Sequence, residues 1–255
     1  MEPTEVFSRF HLAEDELNSK VIALLQTTLD NIRKETAGLY GTGWTPDKVT
    51  ATINAIRSYI DDLTRGLISV TEDNINTFLN LGVSLGNVGG PTTYGVGASV
   101  NMLRGLVSYR ADRITGVTDE LKDRISEIVR RASIAGKPVG KLVEELGRIT
   151  PRGAGPMGDA AYRVTTIIRV ECGRVLMIAA FDRMLDSLKY IPGLKKRWIT
   201  TMHNSRPTHI QANGQTVPVE QPFEVGGEEL MFPLDPAGSA ENVVNCRCLM
   251  VPVLP

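Results

Sequence analysis

The chain has 255 residues, 42% of them hydrophobic, which is enough to bury a core in one large domain or two smaller ones. Its 28 basic and 29 acidic residues nearly cancel, which excludes a global charge that would draw the protein to nucleic acid or an anionic membrane. No apolar run is long enough to cross a bilayer, and residues 1–5 lack the pattern of a signal peptide. Three cysteines, an odd number, also suit a cytoplasmic protein better than a secreted disulfide framework.

The first half of the chain is predicted to form amphipathic helices separated by glycine-rich breaks. Apolar residues recur at helical spacing from about 12 to 33 and again from about 47 to 67, and a shorter helix follows. Such faces are typical of a helical-bundle core. The glycine-rich segment 85–97 lacks the preceding strand and the Lys-Ser/Thr ending of a phosphate loop. We expect it to be a linker or a loop that contacts a partner.

The middle of the chain is predicted to contain a pair of helices. Thr118 is a candidate N-cap for a helix that ends at Gly136, and a shorter helix covers 139–147. Lys137 and Lys141 alone are too few basic side chains for the pair to resemble a DNA-reading helix-turn-helix.

A Gly/Pro-rich break at 151–158 precedes a long helix from about 159 to 188. In this helix Glu171 and Arg174 are three apart and can pair on the surface, whereas Arg169 and Glu171 do not face each other. Cys172 is interpreted as a small apolar residue in a helix interface. The domain boundary is placed at this break or just beyond it, so that 159–255 forms the last part. The chain before it is divided into 1–113 and the helical pair with its linker, 114–158.

Beyond the long helix the sequence pattern changes to short strands. Residues 194–202 suit a strand, and Asn213-Gly214 predicts a tight hairpin between 210–212 and 215–219. A closing strand over 245–251 would aim Cys246 and Cys248 at the same side. The fold class is therefore predicted as α+β, with helical N-terminal and middle regions and a small C-terminal α+β cap of short strands and loops.

An ordered set of short motifs in the second half resembles the phage Mu F-type head morphogenesis family, the minor head proteins of tailed bacteriophages. The resemblance covers roughly residues 114–249, with valine for threonine in the first motif and Asn213 where aspartate is common. The matching motifs, in chain order, are Arg169-Val170-Glu171, Trp198-Ile199-Thr200-Thr201, Arg206-Pro207-Thr208-His209, Asn213-Gly214-Gln215, Gln221-Pro222-Phe223, Phe232-Pro233 and Asn245-Cys246-Arg247-Cys248.

This resemblance implies a structural protein without catalytic residues, located in the head interior or neck of the virion and assembled in the host cytoplasm. It implies the portal protein as a partner, with the major capsid protein or scaffold, and several copies around a ring supporting head assembly, DNA packaging or genome ejection. Region 1–113 would then attach to the portal or capsid, and 159–255 would be the head morphogenesis domain. No membrane partner is expected.

The site residues of this C-terminal part allow two interpretations. Zinc favours thiolate and imidazole ligands, so His203, His209, Cys246 and Cys248 could form a structural zinc site. Without a cofactor, the cysteines would pack as small apolar groups beside a structural polar network. The members of that network are Arg169, Glu171, Trp198, Arg206, His209, Asn245 and Arg247.

Two other functions stay open from the sequence. A Cys/His pair could serve a thiol hydrolase, and His with Asn a metal nuclease, although neither carries its family's local signature. A general DNA-binding head component is the other alternative. In that case Lys195, Lys196 and Arg197 would contact phosphates of packaged DNA without reading its sequence.

Overall fold

The structure, a computed structural model, describes residues 3–39, 44–88, 99–148, 155–201 and 205–255, with the side chains of 3 and 99–104 excepted. It is mainly helical with short antiparallel strands, which confirms the predicted α+β class. The elements are α1 Pro3–Ala37, α2 Pro46–Asp73, α3 Ile75–Leu85, α4 Ser99–Ile134, α5 Val139–Glu145, α6 Gly155–Ser187, β1 Lys195–Ile199, α7 Pro207–Ala212, β2 Thr216–Pro218, β3 Phe223–Val225, β4 Glu228–Leu230, α8 Ala240–Val243 and β5 Leu249–Val253.

The chain forms two compact units. One comprises residues 1–15, 74–108 and 168–255, and the other comprises 16–73 and 109–167. The helices α1, α4 and α6 each contribute to both units. The division into three parts at 113 and 158 stays a prediction. The predicted loop over 85–97 lies largely outside the described residues.

The second unit is a helical bundle whose apolar faces follow the predicted periodicity, for example Ile53, Ile56 and Ile60 in α2. The prediction that Thr118 caps a helix is wrong, because α4 runs without interruption from Ser99 to Ile134. The hydroxyl of Thr118 instead donates a hydrogen bond to the carbonyl of Ile114 at 3.2 Å, as a threonine inside a helix can. The apolar face continues through this segment, so nothing stops the helix there.

In the first unit, two glycines bring α3 close to α6. A Cβ at Gly82 would lie 2.2 Å from the carbonyl oxygen of Leu176, and one at Gly86 would lie 2.3 Å from that of Ala180. The backbones of the two helices therefore meet at a distance that only glycine permits. None of the described helices combines the length and apolarity that a membrane span requires.

The C-terminal cap contains a three-stranded antiparallel sheet in the order β2-β1-β5 and the separate hairpin β3-β4. The predicted hairpin at Asn213-Gly214 is wrong, because 210–212 belong to helix α7 and the turn leads from that helix into β2. Pro207 at the first helical position favours this short helix. Gly214 still adopts the positive φ of +82° that the turn requires.

The closing strand begins later than predicted. β5 covers Leu249–Val253 and pairs with β1 along its whole length, so residues 245–248 form the approach to the strand. This approach is bent by Asn245, which has a φ of +60°, a conformation that asparagine tolerates better than most residues. The bend places both following cysteines in the interior of the cap.

Candidate functional site

Three potential metal ligands converge inside the cap. Nδ1 of His209 lies 3.6 Å from Sγ of Cys246 and 3.3 Å from Sγ of Cys248. All three side chains are buried, with His209 only 1% exposed. Among the described residues these form a cluster whose donor atoms all lie within 4.8 Å of one another. We call it the His-Cys-Cys cluster.

The cluster is held from several elements of the cap. His209 lies in the last turn of α7, and both cysteines lie on the bend before β5. The backbone N–H of Cys248 donates to Sγ of Cys246 at 3.4 Å, which keeps the two sulfurs on one side of the bend. The prediction that these cysteines face the same way therefore holds, although the segment is not a strand.

Trp198 packs against the ring of His209. Because β1 alternates between exposed and buried positions, Trp198 points into the cap. Its ring makes edge-on contacts with the rings of His209 and Phe223, with distances between ring centroids of 5.7 Å and 5.3 Å. Nε2 of His209 has no hydrogen-bond partner among the described residues, so Nδ1 is the nitrogen that engages the sulfurs.

The surroundings favour a negative charge on Cys248 and disfavour one on Cys246. Hydrogen bonds from Cys246, His209 and Thr200 lower the pKa of the Cys248 thiol. The hydrogen bond to Cys248, together with burial, raises the pKa of the Cys246 thiol well above its usual value. The pair can therefore hold one thiolate at neutral pH, and thiolate is the form that binds metals.

A second polar group surrounds a buried carboxylate from the N-terminal helix. Nε of Arg169 lies 2.5 Å from Oε1 of Glu14, and Nη2 of Arg247 lies 3.5 Å from the same oxygen. Arg169 also donates from Nη1 to Oδ1 of Asn245 at 3.0 Å. The carboxylate therefore holds α6 and the bend before β5 together through two arginines.

A cleft of about 490 Å³ opens over the His-Cys-Cys cluster. Its cationic side chains include Arg206, which donates to the carbonyl of Val244 and fixes α7 to the end of α8. The described residues that line it include no carboxylate. They are His11, Arg169, Thr201, Ser205, Arg206, His209, Asn245, Cys246, Arg247 and Cys248.

The predicted polar network is thus divided into four parts, one of which is Arg206 with the carbonyl of Val244. Arg169, Asn245 and Arg247 gather around Glu14, and Trp198 packs on His209. Glu171 pairs with an arginine of its own helix. Both of its carboxylate oxygens accept from Nη1 of Arg174 at 2.8 Å, and Nε of Arg174 donates to the carbonyl of Leu234 at 2.9 Å. The expectation of a surface pair is wrong, because both side chains are buried.

Of the four remaining predicted site residues, Lys196 differs from the expectation. Lys196 is 0% exposed, and its ammonium donates to the carbonyl of Met231 at 2.6 Å, so it does not present a charge to DNA. Burial lowers the pKa of Lys196 to about 8. Lys195 and Arg197 alternate with it on the exposed side of β1, where phosphate contact stays a prediction. His203, the fourth predicted zinc ligand, lies outside the described residues.

Glu14 is the site residue that the sequence did not reveal. It lies 155 residues before Arg169 and looks like an ordinary acidic residue in the first part of a surface helix. The one available signal was the position of Phe10 and Leu17 on its own helical face, both of which are buried. A carboxylate buried on an apolar face needs a cationic partner, and the partly exposed arginines of the C-terminal motifs supply it.

Comparisons with known proteins return partial similarities. The chain is 27% identical over 135 residues, 52% of its length, to "NAD(+)--arginine ADP-ribosyltransferase EFV" of Enterococcus faecalis (strain ATCC 700802 / V583). It is 37% identical over 65 residues, 24% of its length, to "Uncharacterized protein YqbB" of Bacillus subtilis (strain 168). The chain spans 27% and 21% of these relatives, respectively. No protein family and no solved structure matches.

Proposed function

We propose that this chain is a structural minor head protein of a tailed bacteriophage, which associates with the portal and inner capsid during head assembly, DNA packaging or genome ejection. One observation carries the proposal. The motifs on which the resemblance depends contact one another in the cap, although they come from distant parts of the chain. Examples are Arg169 with Asn245 and Trp198 with His209.

These contacts give the motif residues a structural purpose. Arg206 bonds a backbone carbonyl, Asn245 combines a left-handed bend with an acceptor for Arg169, and His209 contacts both thiols. A side chain that is occupied in this way stabilises a fold. The pattern therefore supports an assembly module more than an open catalytic centre.

The name of the Enterococcus faecalis relative raises a transferase as the rival function. Transfer of a sugar from a glycosidic bond develops oxocarbenium character, which enzymes commonly stabilise with a carboxylate. The cleft over the His-Cys-Cys cluster is lined by cationic and neutral side chains throughout its described part. The similarity also covers only 27% of that relative, so its activity need not belong to the shared part.

A thiol hydrolase is favoured by one specific feature, the lowered pKa of Cys248 beside His209. The burial of Cys248, which is only 3% exposed, argues against it. A substrate carbonyl would need to reach that sulfur through the cleft. Loss of turnover in Cys248→Ala, with full turnover in Cys172→Ala, would favour the enzyme over the structural function.

Coexpression with a portal protein from the same genome tests the proposal. The full chain should elute with the portal ring in several copies and remain bound through a second purification step. Elution of the wild-type chain apart from an intact portal ring would refute the proposal.

A further inference from the structure

The His-Cys-Cys cluster has dimensions that match a metal site. In a tetrahedral zinc site with Zn–S near 2.3 Å and Zn–N near 2.0 Å, a nitrogen and a sulfur ligand lie about 3.5 Å apart. The two nitrogen-to-sulfur distances in the cap are 3.6 Å and 3.3 Å. We propose that His209, Cys246 and Cys248 bind one zinc ion through Nδ1 and the two Sγ atoms.

The surrounding structure presents these donors together. The left-handed conformation of Asn245 turns the chain so that both sulfurs face α7, and the N–H of Cys248 fixes the first sulfur. The edge contact from Trp198 limits rotation of the imidazole ring. Because folding brings the ligands together, zinc binding would add its free energy to the stability of this small cap.

The composition of the cluster selects the class of metal. Thiolate and imidazole ligands favour zinc, whereas magnesium and calcium require oxygen ligands. Two thiolates and one neutral imidazole cancel the charge of a divalent ion. The buried site then needs no further counter-ion.

Three ligands leave a fourth coordination position, which we place on the cleft side because all three residues line the cleft. Thr201 and Ser205, which carry hydroxyls, line the same cleft. The guanidinium of Arg206 makes this cleft attractive to an anionic oxygen ligand. The zinc proposal does not depend on the proposed assembly function, since a metal can stabilise this cap in any protein that contains it.

The test uses the full chain, purified under reducing conditions without added chelator. We expect one zinc ion per chain by elemental analysis. After the zinc is stripped, one equivalent of Co²⁺ should produce thiolate-to-cobalt charge-transfer absorption and the intense visible bands of a tetrahedral ion. The third cysteine supplies the matched control, because Cys172 is buried in α6 and lies outside the cluster.

Cys246→Ser and Cys248→Ser should each weaken Co²⁺ binding by more than about 100-fold, since loss of even an outer-sphere partner costs 10- to 100-fold. Cys172→Ser should bind like the wild type. Thiol counting with the unmodified chain needs no variant. All three cysteines are buried, so the comparison is between the zinc-loaded and the zinc-stripped chain. Removal of zinc should make two of the three cysteines react faster with a thiol reagent and leave the rate of the third unchanged. A wild-type chain that binds no stoichiometric zinc or Co²⁺, or equal binding by Cys246→Ser and Cys172→Ser, would overturn the proposal.

Discussion

Removal of the Arg174 guanidinium should destabilise the protein strongly. In Arg174→Met, the buried carboxylate of Glu171 loses the two 2.8 Å hydrogen bonds that Arg174 donates, and the carbonyl of Leu234 loses the bond from Nε of Arg174. Breaking a buried pair by removal of one partner costs about 3–5 kcal/mol, because the remaining buried charge loses that counter-charge. We therefore expect the free energy of unfolding to fall by about 3–5 kcal/mol relative to the wild type.

The double variant Glu171→Met, Arg174→Met isolates the effect of the charge. It removes both buried charges and retains apolar volume, so it should be more stable than Arg174→Met. The chain also contains a matched exposed pair with the same spacing, Lys141 and Glu144, which are 2.9 Å apart. Because that pair is exposed, Lys141→Met should leave the unfolding midpoint unchanged.

Urea unfolding followed by far-UV circular dichroism measures these differences at a common denaturant slope. The reasoning would be refuted if Arg174→Met lost less than about 1 kcal/mol, the range of an exposed pair. It would also fail if the double variant were no more stable than Arg174→Met, because that result means that the two charges are not coupled.

Two further substitutions test the packing and electrostatics of the cap and its helices. Gly82→Ala should lower the unfolding free energy by about 1–3 kcal/mol, because its Cβ would overlap the carbonyl of Leu176, whereas Gly116→Ala, with open space around it, should be neutral or stabilising. Thermal unfolding of the two variants compares them directly, and equal effects would contradict the close helix contact. The pKa of Lys196 is lowered to about 8 in the folded protein, from 10.5. The unfolded chain therefore binds the extra proton between these values, and wild-type stability relative to Lys196→Met should rise by on the order of 2 kcal/mol from pH 8 to pH 10. Urea unfolding at several pH values measures this difference, and a flat or falling difference would show that the ammonium is not desolvated.

Much of the fold was predictable because its signals are local. Ile53, Ile56 and Ile60 recur at the spacing of one face of a helix, and all three are buried in the structure. The residues around Trp198 suit a strand, and in β1 they alternate between exposed and buried positions. The start of α4 was predicted wrongly. Thr118 is a residue type common at N-caps, but it lies inside a helix whose apolar face continues past it.

The errors in the cap have a common physical cause. Asn213-Gly214 specifies a tight turn but not the element before it, and Pro207 made that element a helix. Lys196 has the residue type of a surface position, yet the alternation of β1 places it on the buried side with Trp198. In both cases a local residue type suggested one structure, and the neighbouring element determined another: the short helix α7 before the turn, and strand β1 around Lys196.

The candidate site was predictable in part. The concentration of Cys246, Cys248 and His209 in one region pointed to a cluster, and the fold joins them. Their partners could not be predicted, because Glu14 lies more than 150 residues earlier and its contact with Arg169 exists only in the folded chain. Long-range pairs of this kind leave no spacing pattern in a single sequence.

The assembly function is tested most directly by electron cryomicroscopy of phage heads, or of portal complexes, that were produced together with this chain. We expect density for the cap and its long helix α6 in several copies at the portal or on the inner capsid wall. Heads that are complete and infectious without the chain, with the chain recovered as a free protein that turns over a substrate, would contradict the proposed function.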